Sequence, residues 1–158
     1  MKEITIEKAS IADAREVAVM VGELLDEIMI AVGVQAFHFD LAETTDRLID
    51  FIRNEKYFVF VAKNEEAKPV GFLSLYQSYA LYAEGAFGTI PELYVRPEFR
   101  SQGVGKNLIE EAKLFGRSRG WKRFEVTTPP LPQFDKTLAF YQKEEFTITG
   151  GRKLKIGL

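Results

Sequence analysis

Apolar and polar positions recur along this chain with two periods. Ile4 and Ile6 are separated by Thr5 and Glu7, the two-residue step of a short strand. From Ile11 the step lengthens. Ile11, Ala14, Val17, Ala18, Val21, Leu24, Leu25 and Ile28 fall on one helical face, with Ser10 as the cap, Asp13 completing a variant capping box and Gly33 as the stop. Residues 34–39 connect to a second helix over about 41–53, which carries Leu48, Ile49 and Ile52. The run 57–62 is continuously apolar, as a central strand is, and Asn64-Glu65-Glu66 turns it into a second strand over 70–76. Gly71 inside that strand marks either a bulge or a close backbone approach. Residues 77–88 read as a loop whose Tyr79, Tyr82 and Phe87 make a packed flap or a substrate wall.

From Thr89 the chain enters a third strand that reaches Leu93, Tyr94 and Val95 and ends at Pro97, since proline cannot donate to a ladder. A helix then starts near Gly103, with Val104, Leu108, Ile109, Ala112 and Phe115 on its apolar side. Gly120 stops it, and residues 121–128 make another strand with Phe124 and Val126 on one face, closed by Pro129, Pro130 and Pro132. Asp135 is placed to cap a short helix holding Leu138, Phe140 and Tyr141. The pattern ends in a predicted hairpin, 146–149 against 152–156, turning on Gly150-Gly151. This order of elements predicts a mixed α/β sheet with helices on both faces, built as one domain over residues 1–158.

Composition narrows the function classes. With 158 residues, 46% of them hydrophobic and 13% aromatic, the chain has material for a real core. The 21 basic and 23 acidic residues are mixed, with no run of one sign long enough to hold a nucleic-acid backbone. There is no cysteine, which excludes disulfides, thiolate metal sites and a cysteine nucleophile, and the single His38 cannot build a metal site alone. His38 itself reads as a surface or packed imidazole, or as a substrate-contacting group in a loop over the site. The start of the chain has no signal-peptide apolar region, and no stretch approaches the ~18 apolar residues that span a membrane. The expected location is therefore the cytoplasm.

The candidate chemistry lies at the start of the helix near Gly103, where Arg100-Ser101-Gln102-Gly103-Val104-Gly105 spells R-x-x-G-x-G. A helix's first turn has unpaired N–H groups and the positive end of the macrodipole, and glycines let an anion approach the backbone. A pyrophosphate would fit, although a turn can also need glycine merely for positive φ. The dinucleotide pattern G-x-G-x-x-G and the P-loop pattern G-x-x-x-x-G-K-[ST] are both missing.

The longer run from Val95 to Leu108, V-x-P-x-[FY]-R-x-x-G-x-G-x-x-L, resembles the acetyl-CoA motif of the GCN5-related N-acetyltransferases. Phe140-Tyr141-Gln142-Lys143 before Phe146 resembles the F-Y-x-K-x-G-F segment of the same family. By motif the likeness covers roughly residues 57–158, and by element order the rest. It implies an α/β fold with a mixed, mostly antiparallel central sheet and helices on both faces. Within that sheet, a parallel strand pair would splay apart to admit the pantetheine arm.

The implied activity is transfer of the acetyl group of acetyl-CoA, as co-substrate and without a metal, to a primary amine of a small molecule or peptide. The amine would attack directly in a ternary complex. Partners would be that amine and, optionally, a second copy of the chain, with no nucleic acid or membrane. The resemblance assigns backbone at Leu93, Tyr94 and Val95 to the pantetheine and acetyl group. It assigns Arg100, Gln102, Gly103, Val104, Gly105 and Lys106 to the pyrophosphate, with Lys106 otherwise an ordinary helix lysine. Tyr141 would donate a proton to the departing thiolate, or is simply core. Glu92 would take the amine's proton, or is structural. Two positions depart from the family pattern: Phe134 where many members have asparagine, and Glu145 where glycine is usual, which implies a turn built differently there. A carboxylate group at Asp26, Glu27, Asp40 and Glu43 would either draw a cationic acceptor or mark a solvated helix end. The alternative function is a non-catalytic acyl-CoA binder or sensor of the same fold.

Overall fold

The computed structural model describes residues 3–158, and contacts divide it into two units meeting at Thr127 and Thr128. The larger unit is built on a six-stranded sheet. Strand β1 (Thr5–Lys8) pairs antiparallel with β2 (Phe58–Lys63), β2 with β3 (Pro69–Ala80), and β3 with β4 (Gly85–Ile90). Strand β5 (Leu93–Val95) also lies against β3, while β6 (Phe124–Val126) runs parallel to β4.

Two helices pack on one face and one on the other. Helix α1 (Ala14–Val32) follows a short turn in which the Ser10 N–H donates to Asp13 Oδ2 at 2.9 Å, and it ends at Gly33 with φ +71°. Helix α2 (Leu41–Arg53) starts at Asp40, whose side chain accepts the Glu43 N–H at 2.9 Å. The buried stripe of α1, with Ala14, Val17 and Met20, joins Leu48 of α2 against Val59, Val61, Phe72 and Tyr94 of the sheet. The strand residues of opposite parity, Phe58 and Phe60, meet Phe115 of α3 (Val104–Ser118) at ring separations of 4.8 and 5.7 Å. The two-residue period of a strand thus feeds both cores at once, which is why residues 58–62 are apolar without alternation. Burying one side chain such as Phe72 contributes about 1.5–3 kcal/mol.

Gly71 serves both of the uses open to it. A Cβ there would meet the Tyr94 carbonyl oxygen at 2.9 Å, and the β2–β3 register slips beside it, between Ala62 and Lys63.

Several expectations need correction. Residues 77–88 do not form a loop. Gln77–Ala80 prolong β3, a single turn covers Leu81–Ala83, and β4 returns with Gln77 opposite Gly88. Small residues allow this, because a Cβ on Gly88 would stand 2.6 Å from the rings of Phe124 and Trp121. Tyr79 and Tyr82 are exposed, whereas Phe87 is buried. The strand expected over 121–128 is reduced to Phe124–Val126.

The smaller unit, Thr128–Leu158, holds α4 (Asp135–Lys143). Asp135 is the first helical residue and not the cap, since the capping position is Phe134 and no side chain bonds the helix start. The terminal hairpin is not formed: residues 146–158 contain no strand, and from 147 onward every residue is exposed. Of Gly150 and Gly151 only the second has a left-handed φ, +93°, whereas a tight primed turn needs the first central residue there as well.

Candidate active site

The site is centred on an interruption between β4 and β5. Thr89 lies opposite Tyr76 and Leu93 opposite Leu73, so that three residues, Ile90, Pro91 and Glu92, face only two, Leu75 and Ser74. Pro91 has no N–H to give a ladder, and the extra residue bulges. The bulge aims the partly buried Glu92 carboxylate at Ser74 and Tyr57. Ser74 Oγ donates to Glu92 Oε1 at 2.5 Å and accepts the Glu92 N–H at 3.2 Å, and the Tyr57 hydroxyl lies 3.5 Å from Oε2. No ion pair reaches Glu92 among the described residues. Burial therefore pushes its carboxyl above the ordinary carboxylate range, against the two hydrogen bonds, which favour the charged form. Tyr57, buried beside that carboxyl, is raised as well and stays a neutral donor.

Beyond the bulge the parallel pair parts. Gly88, Thr89 and Ile90 pair with Phe124, Glu125 and Val126, but β5 has no register with β6. The Glu92 carbonyl accepts from Ser74 N and the Arg96 N–H donates to the Val70 carbonyl, so residues 92, 94 and 96 direct their backbone to β3. Leu93 and Val95, alternating with them, turn theirs to the opposite edge. One of these groups is met by a side chain: Arg100 Nε donates to the Val95 carbonyl at 2.7 Å. The Tyr94 side chain points away from this edge to α1, its hydroxyl 3.2 Å from Glu23 Oε1, and burial with that carboxylate pushes it up to about 12. Arg96 anchors the same side through Glu23, at 3.0 and 2.9 Å, and the Pro69 carbonyl.

The glycine turn follows. Pro97–Phe99 form one tight turn, Ser101 has φ +61° and Gly103 φ +82°, and α3 begins at Val104. The Gly103 carbonyl accepts from Asn107, which leaves the N–H groups of the first turn directed outward at the positive end of a 15-residue helix. A Cβ on Gly103 would meet nothing within 4 Å, so that space in front of the turn is open. Val104 is buried and offers only its backbone; Lys106 is exposed. Gln102 donates to the Glu98 carbonyl at 3.2 Å. The Arg100 guanidinium is held by Glu27 of α1 at 2.6 Å and lies over the Tyr94 ring. An outward N–H cradle with open space suits a pyrophosphate, and the free edge at Leu93 and Val95 suits an amide-bearing arm, so these residues fit coenzyme A.

The remaining sequence candidates fall elsewhere. His38 is exposed in the connection before α2 and joins none of these groups. Of the four acidic residues proposed as a cation-drawing entrance, Asp40 caps α2 and Glu27 pairs with Arg100, which are structural uses. In the smaller unit Tyr141 is buried, its ring 5.3 Å from those of both Phe140 and Phe146, and burial raises its phenol. Glu145 holds φ +75°, so the turn before Phe146 keeps the left-handed conformation that favours glycine and is not built anew. Ser74 and Tyr57 were not singled out from sequence. The available signal was a serine in the apolar run 70–75, and Ser74 is the buried polar residue of the described core, at 1% exposure.

Known proteins resemble the chain in both sequence and fold. The model of the acetyltransferase (GNAT) domain matches residues 55–148. Peptidyl-lysine N-acetyltransferase YjaB of Escherichia coli (strain K12) is 31% identical over 121 residues, 75% of this chain and 71% of that protein. Among solved structures, an aminoglycoside acetyltransferase from an uncultured soil metagenomic sample, in complex with trehalose, superposes with a TM-score of 0.76 at 23% identity. It covers 98% of this chain and 96% of its own. A predicted acetyltransferase from Clostridium acetobutylicum, solved with acetyl-CoA, gives 0.78 at 15% identity with the same coverage.

Proposed function

We propose that this chain, which belongs to the GNAT acetyltransferase family, acetylates a primary amine, with acetyl-CoA as the acetyl donor. The observation that carries this is the parting of β5 from β6 directly after the Glu92 bulge, ahead of an outward-facing helix start. It supplies an edge for an amide arm, a cradle for its phosphates and a proton acceptor within one short stretch. One acetyltransferase domain over residues 1–158 is the proposed organisation, supported by a family match that runs across the Thr127–Thr128 boundary.

Acetyl-CoA supplies an activated thioester carbonyl. The chain's residues have three tasks: hold the donor, meet the negative charge that develops on the carbonyl oxygen, and move protons. Backbone N–H groups of Gly103, Val104, Gly105 and Lys106 hold the pyrophosphate, with Arg100 and Gln102 at its side, and the Lys106 ammonium adds charge. The turned-out edge of Leu93 and Val95 holds the pantetheine amides, and Tyr94 lies between them. A Leu93 or Val95 N–H on that edge meets the developing oxyanion. Glu92 takes a proton from the acceptor nitrogen, directly or through one water, so that the neutral amine attacks the thioester carbonyl, and burial, which raises the affinity of this carboxyl for protons, suits it to that task. Tyr141 returns a proton to the departing sulfur, and burial keeps its phenol protonated.

The acceptor class is a small-molecule or peptide amine, with a peptide lysine first because a relative is named for it. Location in the cytoplasm stays a proposal; among the described residues no helix is long and apolar enough to cross a membrane. The test is release of free thiol from acetyl-CoA across lysine peptides, polyamines and aminoglycosides, with the acetylated product identified by mass. Amine-dependent thiol release is expected. Tight coenzyme A binding with no such release for any amine would overturn the enzyme in favour of a binder.

A further inference from the structure

Glu92 is held in an unusual way. It is a partly buried carboxylate with no ion pair among the described residues, and its two oxygens are engaged separately. Ser74, the residue opposite the bulge, uses one hydroxyl for two bonds: it donates to Oε1 at 2.5 Å and accepts the Glu92 N–H at 3.2 Å. The same side chain therefore ties the bulged backbone and the carboxyl together. Ser74 is 1% exposed, and burying a hydroxyl is costly unless its bonds are made, so its place in an apolar strand calls for this partner. Tyr57 lies 3.5 Å from Oε2, its ring fixed between Phe51 at 5.0 Å and Tyr76 at 6.1 Å. Oε2 is thus the less tightly engaged oxygen and the one left for a substrate proton.

We propose that Ser74 and Tyr57 are positioning residues that orient Glu92 across the β4–β5 bulge and set its proton affinity for acetyl transfer. This rests on the reading of Glu92 as proton acceptor. Both donors favour the charged carboxylate and so hold its titration below where burial alone would put it. The titratable and charged groups on this face are few. Tyr57 touches Glu92 and Tyr76 stacks on Tyr57. On the α1 side Tyr94, Glu23 and Arg96 are bonded to one another, and beyond Phe51 Asp50 pairs with Lys56.

The test is a ¹³C carboxyl NMR titration of Glu92, assigned by loss of the signal in Glu92→Gln, in wild type, Ser74→Ala, Ser74→Thr and Tyr57→Phe. Loss of a hydrogen bond to the charged form is expected to move the titration upward by roughly one unit in Ser74→Ala and less in Tyr57→Phe, with Ser74→Thr close to wild type. The acid limb of kcat/KM, measured with acetyl-CoA and the best amine, is expected to move with it. Should Ser74→Ala not fold, Tyr57→Phe gives the same readout. Titration at the wild-type pH in the variants that fold would overturn the positioning role. An acid limb that survives in Glu92→Gln would instead overturn Glu92 as the base, and the NMR shift separates the two failures.

Discussion

Arg100 Nη2 stands 2.6 Å from Glu27 Oε1, so the guanidinium that the glycine-turn motif would offer to a pyrophosphate is engaged by a carboxylate of α1. The pair is partly exposed, and such pairs contribute about 0.2–1 kcal/mol. On the proposed role of Arg100, Glu27 and a bound phosphate would compete for the same cation. Glu27→Gln is expected to tighten coenzyme A binding by up to about fivefold, an effect that shrinks in high salt. Calorimetry at two ionic strengths checks this, and an unchanged Kd would remove Arg100 from the phosphate site.

Gly103 offers a charge test with little change in shape. Its φ of +82° is tolerated by asparagine and aspartate better than by other side chains, and a Cβ there meets open space. Gly103→Asp is expected to abolish coenzyme A binding, because a carboxylate would stand in the anion's place, while Gly103→Asn retains part of it. Gly105→Asp is expected to behave as Gly103→Asp. Equal affinity for the Asp and Asn variants of Gly103 would sink the pyrophosphate assignment.

On its proposed role as the base, Glu92 would tie activity to stability with opposite signs. Its folded carboxyl binds protons more tightly than the unfolded one, so between the two titrations the native state holds more protons and stability falls as pH rises. The favourable contribution is present below the unfolded pKa and is lost through the raised folded one. Glu92→Gln is therefore expected to flatten that part of the Tm-versus-pH curve and to lower kcat/KM. A curve that keeps its wild-type slope would show that the carboxyl titrates normally.

Tyr141→Phe removes a phenolic proton and keeps the packing against Phe140 and Phe146. General-acid contributions are typically ~10²–10⁴-fold, and a thiolate leaves readily, so a fall in kcat at the low end of that range is expected. Coenzyme A affinity and Tm stay near wild type, and the loss shrinks as pH falls because solvent supplies the proton. An unchanged kcat across the pH range would return Tyr141 to a packing role.

Glu145 stores strain that a glycine would release. At φ +75° a side chain costs about 1–2 kcal/mol, offset in part by the greater unfolded-state entropy of glycine. Glu145→Gly is expected to stabilise the chain by about 0.5–1 kcal/mol in urea unfolding; a destabilised variant would mean that the carboxylate makes a contact worth more than the strain.

The sequence by itself determined the elements and their faces. The spacing of Leu48 and Leu108 places α2 and α3 within a residue or two, and that of Val17 with the stop at Gly33 places the end of α1, because helix periodicity and cap chemistry are local; Ser10 instead opens a short turn over Ile11–Asp13, and α1 begins three residues later than read, at Ala14. R-x-x-G-x-G likewise marked the helix start at Val104, and the family match bore out the resemblance it carried. What only the tertiary structure decided depends on partners distant in the chain. Residues 77–80 are strand because β4 returns to pair with them. Residues 152–156 alternate as a strand would, yet none forms there, since a ladder needs a partner in register and a turn that delivers it. Glu92 was legible as a carboxylate beside that strand, but it lies in the bulge before β5, and its surroundings are burial together with Ser74, 18 residues earlier, and Tyr57, 35 residues earlier. Pro91 marks a local break in the ladder, but the count of three residues opposite two, which brings these groups together, is set by how β3 pairs with both β4 and β5.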